Sequence, residues 1–146
     1  MRGVTSSPRA LRRPVRPLAG VLLAAALLSG CGASAAREDG ASRAGLLFTT
    51  ALAADDLRAG CELLAPETRE QVESDAKSPC GPALRSLDLP KAGAQLGVEV
   101  YGRQALLRMR NDTLFLSQFD DGWKVTAAGC VPQAEDEPYQ CALKGS

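Results

Sequence analysis

An apolar run of eleven residues, Leu18 to Leu28, stands behind five arginines with no acid among them and ends in Leu28-Ser29-Gly30-Cys31. Its length decides its role. A helix needs about 20 apolar residues to cross a bilayer, so a shorter run with a basic segment before it reads as the hydrophobic core of a signal peptide. The part that has to fold is then residues 31 to 146, which is 116 of the 146 residues. That is one domain, able to bury a real though modest core.

Leu28-Ser29-Gly30-Cys31 resembles the lipobox of bacterial lipoproteins, in which the cysteine is acylated and becomes the first residue after cleavage. The resemblance implies that Cys31 carries acyl chains, each buried methylene adding about 0.8 kcal/mol of membrane affinity. The chain is then expected at the extracytoplasmic face of the cell membrane, held by lipid. Residues 1–30 read as the signal peptide, and residues 31–42, rich in Gly, Ala, Ser and charged side chains, read as a short flexible tether. Residues 43–146 read as a single domain.

The leader holds five of the 17 basic residues and none of the 17 acids, so the remainder carries 12 bases against 17 acids, a net charge of minus five. A mildly acidic surface argues against nucleic acid and against electrostatic adhesion to anionic lipid. The chain has no histidine. Ser-His-Asp and Cys-His catalysis, imidazole metal ligation and a histidine pH switch are all excluded.

Apart from Cys31 the cysteines are Cys61, Cys80, Cys130 and Cys141. An even number in an exported chain reads as two disulfides. Three connectivities are open. The sequential one, Cys61 with Cys80 and Cys130 with Cys141, is favoured; it closes loops of 20 and 12 residues. No two of the four lie two to four residues apart, the spacing structural zinc sites use, so no metal site and no cofactor are expected.

A helix is expected from Ser42, with Leu47, Ala51 and Ala54 inward beside Phe48 and Leu52. A second runs from Leu57 to about Leu64 with Cys61 and Leu64 inward, and a third from Pro66 to about Ala76, with proline at its first position. Ser78-Pro79-Cys80-Gly81-Pro82 breaks the pattern, and a brief helical turn follows over Ala83 to Leu87.

After residue 92 four segments, Ala94–Tyr101, Gln104–Arg110, Thr113–Phe119 and Trp123–Ala128, read as short strands joined by tight turns. With Asn111-Asp112 as a two-residue turn, Met109 faces Leu114 and Leu107 faces Leu116. The register after Asp120 stays open. A two-residue loop at Asp121-Gly122 puts Trp123, Val125 and Ala127 on the Leu107 face, and a three-residue loop puts them with Phe115 and Phe119. Residues 129–146 read as an irregular strap closed by its own disulfide. Helices followed by a curled four-stranded antiparallel sheet make an α+β fold.

The run Leu52 to Glu67, followed by Phe119-Asp120-Asp121-Gly122-Trp123-Lys124-Val125, resembles the nuclear-transport-factor-2-like superfamily, and more narrowly small exported lipoproteins of high-GC Gram-positive bacteria. The resemblance spans about residues 43 to 130. It implies a sheet curled around the helices to leave a conical pocket, here walled by Leu107, Leu116 and Trp123. Enzymes of the superfamily place acids or tyrosine in that cone, and the residues that could serve are Asp88, Glu99, Tyr101 and Asp112. Of these, Asp112 reads as a turn former, and Glu99 and Tyr101 share the strand face opposite Val98 and Val100. Arg108 and Arg110 share one strand face and read as solvated.

A non-catalytic envelope interaction module with a protein partner is therefore expected. A carrier or sensor of a small apolar molecule is the alternative, and an isomerase or dehydratase with Glu99 as general base comes third.

Overall fold

The computed structural model describes residue 3 and residues 29–145, with side chains from Ser34 onward. The rest of the expected leader up to residue 28 lies outside them. Four helices precede a sheet: α1 Ser29–Ala53, α2 Leu57–Glu62, α3 Pro66–Ala76 and α4 Cys80–Ser86. The strands are β1 Gln95–Tyr101, β2 Gln104–Met109, β3 Thr113–Phe119, β4 Gly122–Val131 and β5 Gln140–Lys144, all antiparallel and in the order β1-β2-β3-β4-β5. The α+β layout holds, but the sheet has five strands rather than four. The expected irregular strap contributes β5, which pairs with β4 from Ala127 to Val131.

Helix α1 departs from expectation in two ways. It begins at Ser29, not Ser42, so residues expected as tether are helical. The alanines and the Arg37-Glu38 pair are good helix formers, and Ala41 is already fully buried. Its inward face is also rotated: Ala41, Ala44, Gly45, Phe48 and Ala51 are buried, whereas Leu47 is 54% exposed and Ala54 lies on the surface. The sheet accepts the helix only along its small-residue side, because leucine there would hold the two apart.

Short helices fold around the first disulfide. Asp56 caps α2, its carboxylate accepting from the Ala59 N–H at 3.1 Å. Pro66 opens α3 as expected, and Lys77 in the left-handed region closes it. Cys80, the first residue of α4, is bonded to Cys61 in α2, and Cys130 to Cys141 across the β4–β5 pair, so the favoured connectivity is the one present. With their sulfurs oxidised, none of these four cysteines is a thiolate ligand.

The outer edge of β4 is covered in two pieces. Beta-5 takes its second half, and the α2–α3 connector takes the first: the Ala65 N–H donates to the Val125 carbonyl at 2.8 Å, and the Val125 N–H to the Leu63 carbonyl at 2.9 Å. An unpaired edge that would otherwise recruit other chains is closed at that place.

Both hairpin registers differ in detail from the sequence reading. Leu107 pairs with Leu114, and Arg108 with Thr113, so the β2–β3 turn takes four residues rather than two. The slip is two places, and every side chain keeps its face. At the β3–β4 turn Phe119 pairs with Gly122 across Asp120-Asp121, and Leu116 faces Val125. Trp123 and Val125 thus join the Leu107 face. A bulge then inserts Thr126, moving Ala127 opposite Phe115 and turning Ala128 inward.

Candidate functional site

The face of the sheet that carries Leu107, Leu116 and Trp123 is where the conical pocket was expected. Alpha-1 occupies it. Leu107 and Leu116 have no exposed surface and Trp123 is almost fully covered. A Cβ built on Gly40 would stand 2.9 Å from Trp123 Cδ1, and one on Gly45 would overlap Leu107 Cδ2. Phe48, also without exposed surface, belongs to the same core. Glycine at 40 and 45 lets the helix backbone rest directly on the side chains that were to wall a cavity. The signal was legible in principle: Gly40, Ala41, Ala44, Gly45 and Phe48 recur at helical spacing, and small residues mark close approach.

The four candidate acid-base residues do not converge. Asp88 is exposed just after α4, in a left-handed backbone conformation. Glu99 lies on the opposite face of the sheet from Leu107, ion-paired to Arg108 and accepting a hydrogen bond from the Tyr101 hydroxyl at 2.9 Å. Tyr101 is 67% exposed, and its pKa is raised first by that hydrogen bond and then by the Glu99 charge. Arg108 and Arg110 do not share a strand face: β2 ends at Met109, and Arg110 lies in the turn, its N–H donating to the Ala94 carbonyl. This cluster is a surface ion pair with a tyrosine attached, a feature that by itself contributes little to stability.

Asp112 is the residue the sequence undervalued. It is buried at the four-residue turn, where its carboxylate accepts from the Thr113 N–H at 2.7 Å and the Cys130 N–H at 3.1 Å, while its own carbonyl accepts from the Met109 N–H. It ties the β2–β3 turn to β4 beside Gly129, where φ is +64° and a Cβ would press on Leu89 and Ala142. Burial raises the Asp112 pKa, against the N–H groups of Gly129, Cys130 and Thr113, which lower it. Its neighbours are backbone amides, so the role it can fill is structural.

A cleft of about 460 Å³ opens between α2, α3 and the β3–β4 turn. Of its charges, Arg69 is paired with Glu73 at 3.3 Å and Lys124 with Asp121 at 3.2 Å, Glu73 also accepts from the Cys80 N–H, and Glu62 and Glu70 leave the lining net acidic. Among the described residues no group of three or more acids or cysteines could hold a metal ion, and no helix is long and apolar enough to cross a membrane. No family model, no curated protein and no solved structure matches the chain.

Proposed function

We propose that this chain is a lipid-anchored extracytoplasmic lipoprotein whose domain, a curled sheet on helices of the nuclear-transport-factor-2-like kind, works through protein contacts and not through chemistry or ligand storage. The observation that supports it is the seating of α1 on Leu107, Leu116 and Trp123, which covers that face of the sheet with the protein's own side chains. A carrier needs that volume open, and a pocket enzyme needs an acid pointing into it. Glu99, the general base such an enzyme would use, stands on the other face, paired to Arg108. The anchor follows from Cys31 behind its basic, apolar leader.

Native mass spectrometry of the protein solubilised from its own membrane tests the reading. A domain carrying only the mass of an acyl anchor, or carrying a second polypeptide, supports it. A small molecule retained beyond the anchor overturns it in favour of a carrier.

A further inference from the structure

The geometry points to a fixed juxtamembrane end of the domain: the β1–β2 and β3–β4 turns face the lipid surface, and the β2–β3 turn and β4–β5 connector face away from it. This rests on the reading of Cys31 as the anchor. Cys31 is the third residue of α1, which continues without a break to Ala53. Residues 34 to 36 are exposed; Arg37 then reaches the sheet, its Nη1 donating to the Gly102 carbonyl at 3.3 Å, and Gly40 and Ala41 are packed against it.

Six residue steps thus separate the anchor from the first point of attachment. They span about 9 Å as helix and about 20 Å even fully extended. The ten residues of β4 run for about 33 Å, so a domain of that length has too little lead to turn over on its anchor.

The two turns named as lipid-facing are joined to each other. The Arg103 guanidinium donates to the Gln118 carbonyl at 2.7 Å and lies 3.6 Å from the Asp120 carboxylate. The opposite end is tied in the same way by the Asp112 carboxylate and the Cys130 N–H. Charges near the lipid-facing end, Arg37, Glu38, Asp39, Arg103, Asp120, Asp121 and Lys124, sum to minus one, which offers anionic lipid no attraction. Orientation therefore comes from the short lead and its attachment, not from attraction to anionic lipid.

The test uses the full chain, expressed with its leader and reconstituted into phosphatidylcholine–phosphatidylglycerol vesicles that contain a trace of acceptor-labelled lipid. With Cys31 acylated and the other four cysteines in disulfides, a single introduced cysteine takes the donor dye. Energy transfer to the lipid is expected to be roughly twofold or more stronger from Asp120→Cys than from Glu135→Cys, given the ~30 Å between the two ends, and to stay so at high salt. Lengthening the lead with a flexible Gly-Ser insert after Ser34 should remove the difference. Equal or reversed transfer from vesicle-bound protein, or a difference abolished by salt, overturns the inference alone. Protein that carries no acyl mass on Cys31 overturns the anchor and the inference together.

Discussion

Gly45 of α1 lies so close to Leu107 of β2 that a methyl group on its Cα would overlap Leu107 Cδ2. On a free helix alanine is preferred to glycine by about 1 kcal/mol. Here overpacking, worth about 1–3 kcal/mol, has the larger claim, because Leu107 is wholly buried with Leu116 beside it. Gly45→Ala is expected to lower the urea midpoint. Combining it with Leu107→Ala should cost less than the sum of the two single changes, since the smaller side chain makes room for the methyl group.

Asp112 predicts both a stability loss and a pH dependence. Asp112→Ala leaves the Thr113 and Cys130 N–H groups without their acceptor and should cost about 2 kcal/mol. The native pKa is raised by burial, so between the unfolded and folded values the native state holds the extra proton. That contribution is fully present below the unfolded pKa and is lost as pH rises through the folded one. The stability of wild type relative to Asp112→Asn is therefore greatest below the ordinary carboxylate range and declines as pH rises through the raised native pKa. Urea unfolding across that range measures it; a difference that grows with pH would contradict the assignment.

The two disulfides should differ in what they protect. Each closes a short loop and contributes roughly 3 kcal/mol on the chain-entropy estimate. Cys130–Cys141 fastens an edge strand of only five residues, so replacing both cysteines by serine should accelerate amide exchange first within Gln140–Lys144. Replacing Cys61 and Cys80 should loosen α2 against α4 instead. Non-reducing peptide mapping checks the pairing directly.

Cys31→Ala is expected to leave the protein unprocessed or release it into the medium, read by fractionation and intact mass. Unchanged attachment to the membrane would remove the acyl anchor from the account.

Much of this architecture is legible in the sequence, and the misreadings share a physical origin. Pro66 fixes its helix start by a local rule, and the two disulfides follow from an even number of cysteines in a chain read as exported. Local rules do not say how closely a helix will approach a sheet. Leu47 looks like the better core residue until Gly40 and Gly45 are seen to need the contact, which rotates the buried face away from it.

Likewise Asn111-Asp112 has good turn chemistry, but burial of the Asp112 carboxylate against Cys130, 18 residues on, lengthens the turn to four residues. Beta-5 was hidden by its setting: five residues behind a polar connector carry little strand signal until Cys141 is placed opposite Cys130. Of the expected site, Leu107 and Leu116 share one face as read, and Trp123, whose face the sequence left open, joins them. That α1 lies on them is signalled only by the spacing of Gly40, Ala41, Ala44 and Gly45, which the search for a leucine-rich core face passes over.

The most direct measurement titrates the native domain with benzene and with a medium-chain fatty acid while following Trp123, the only tryptophan. Trp123 touches the helix that covers this face of the sheet, so any molecule entering there must disturb it. Leu107→Ala, which empties a wholly buried position and should bind benzene in the resulting cavity, serves as the positive control. No saturable change in the wild type, with a saturable change in the Leu107→Ala variant, is the result predicted. Saturable binding of either ligand to the wild type would mean that the face is open, and would contradict a domain that acts through its surface alone.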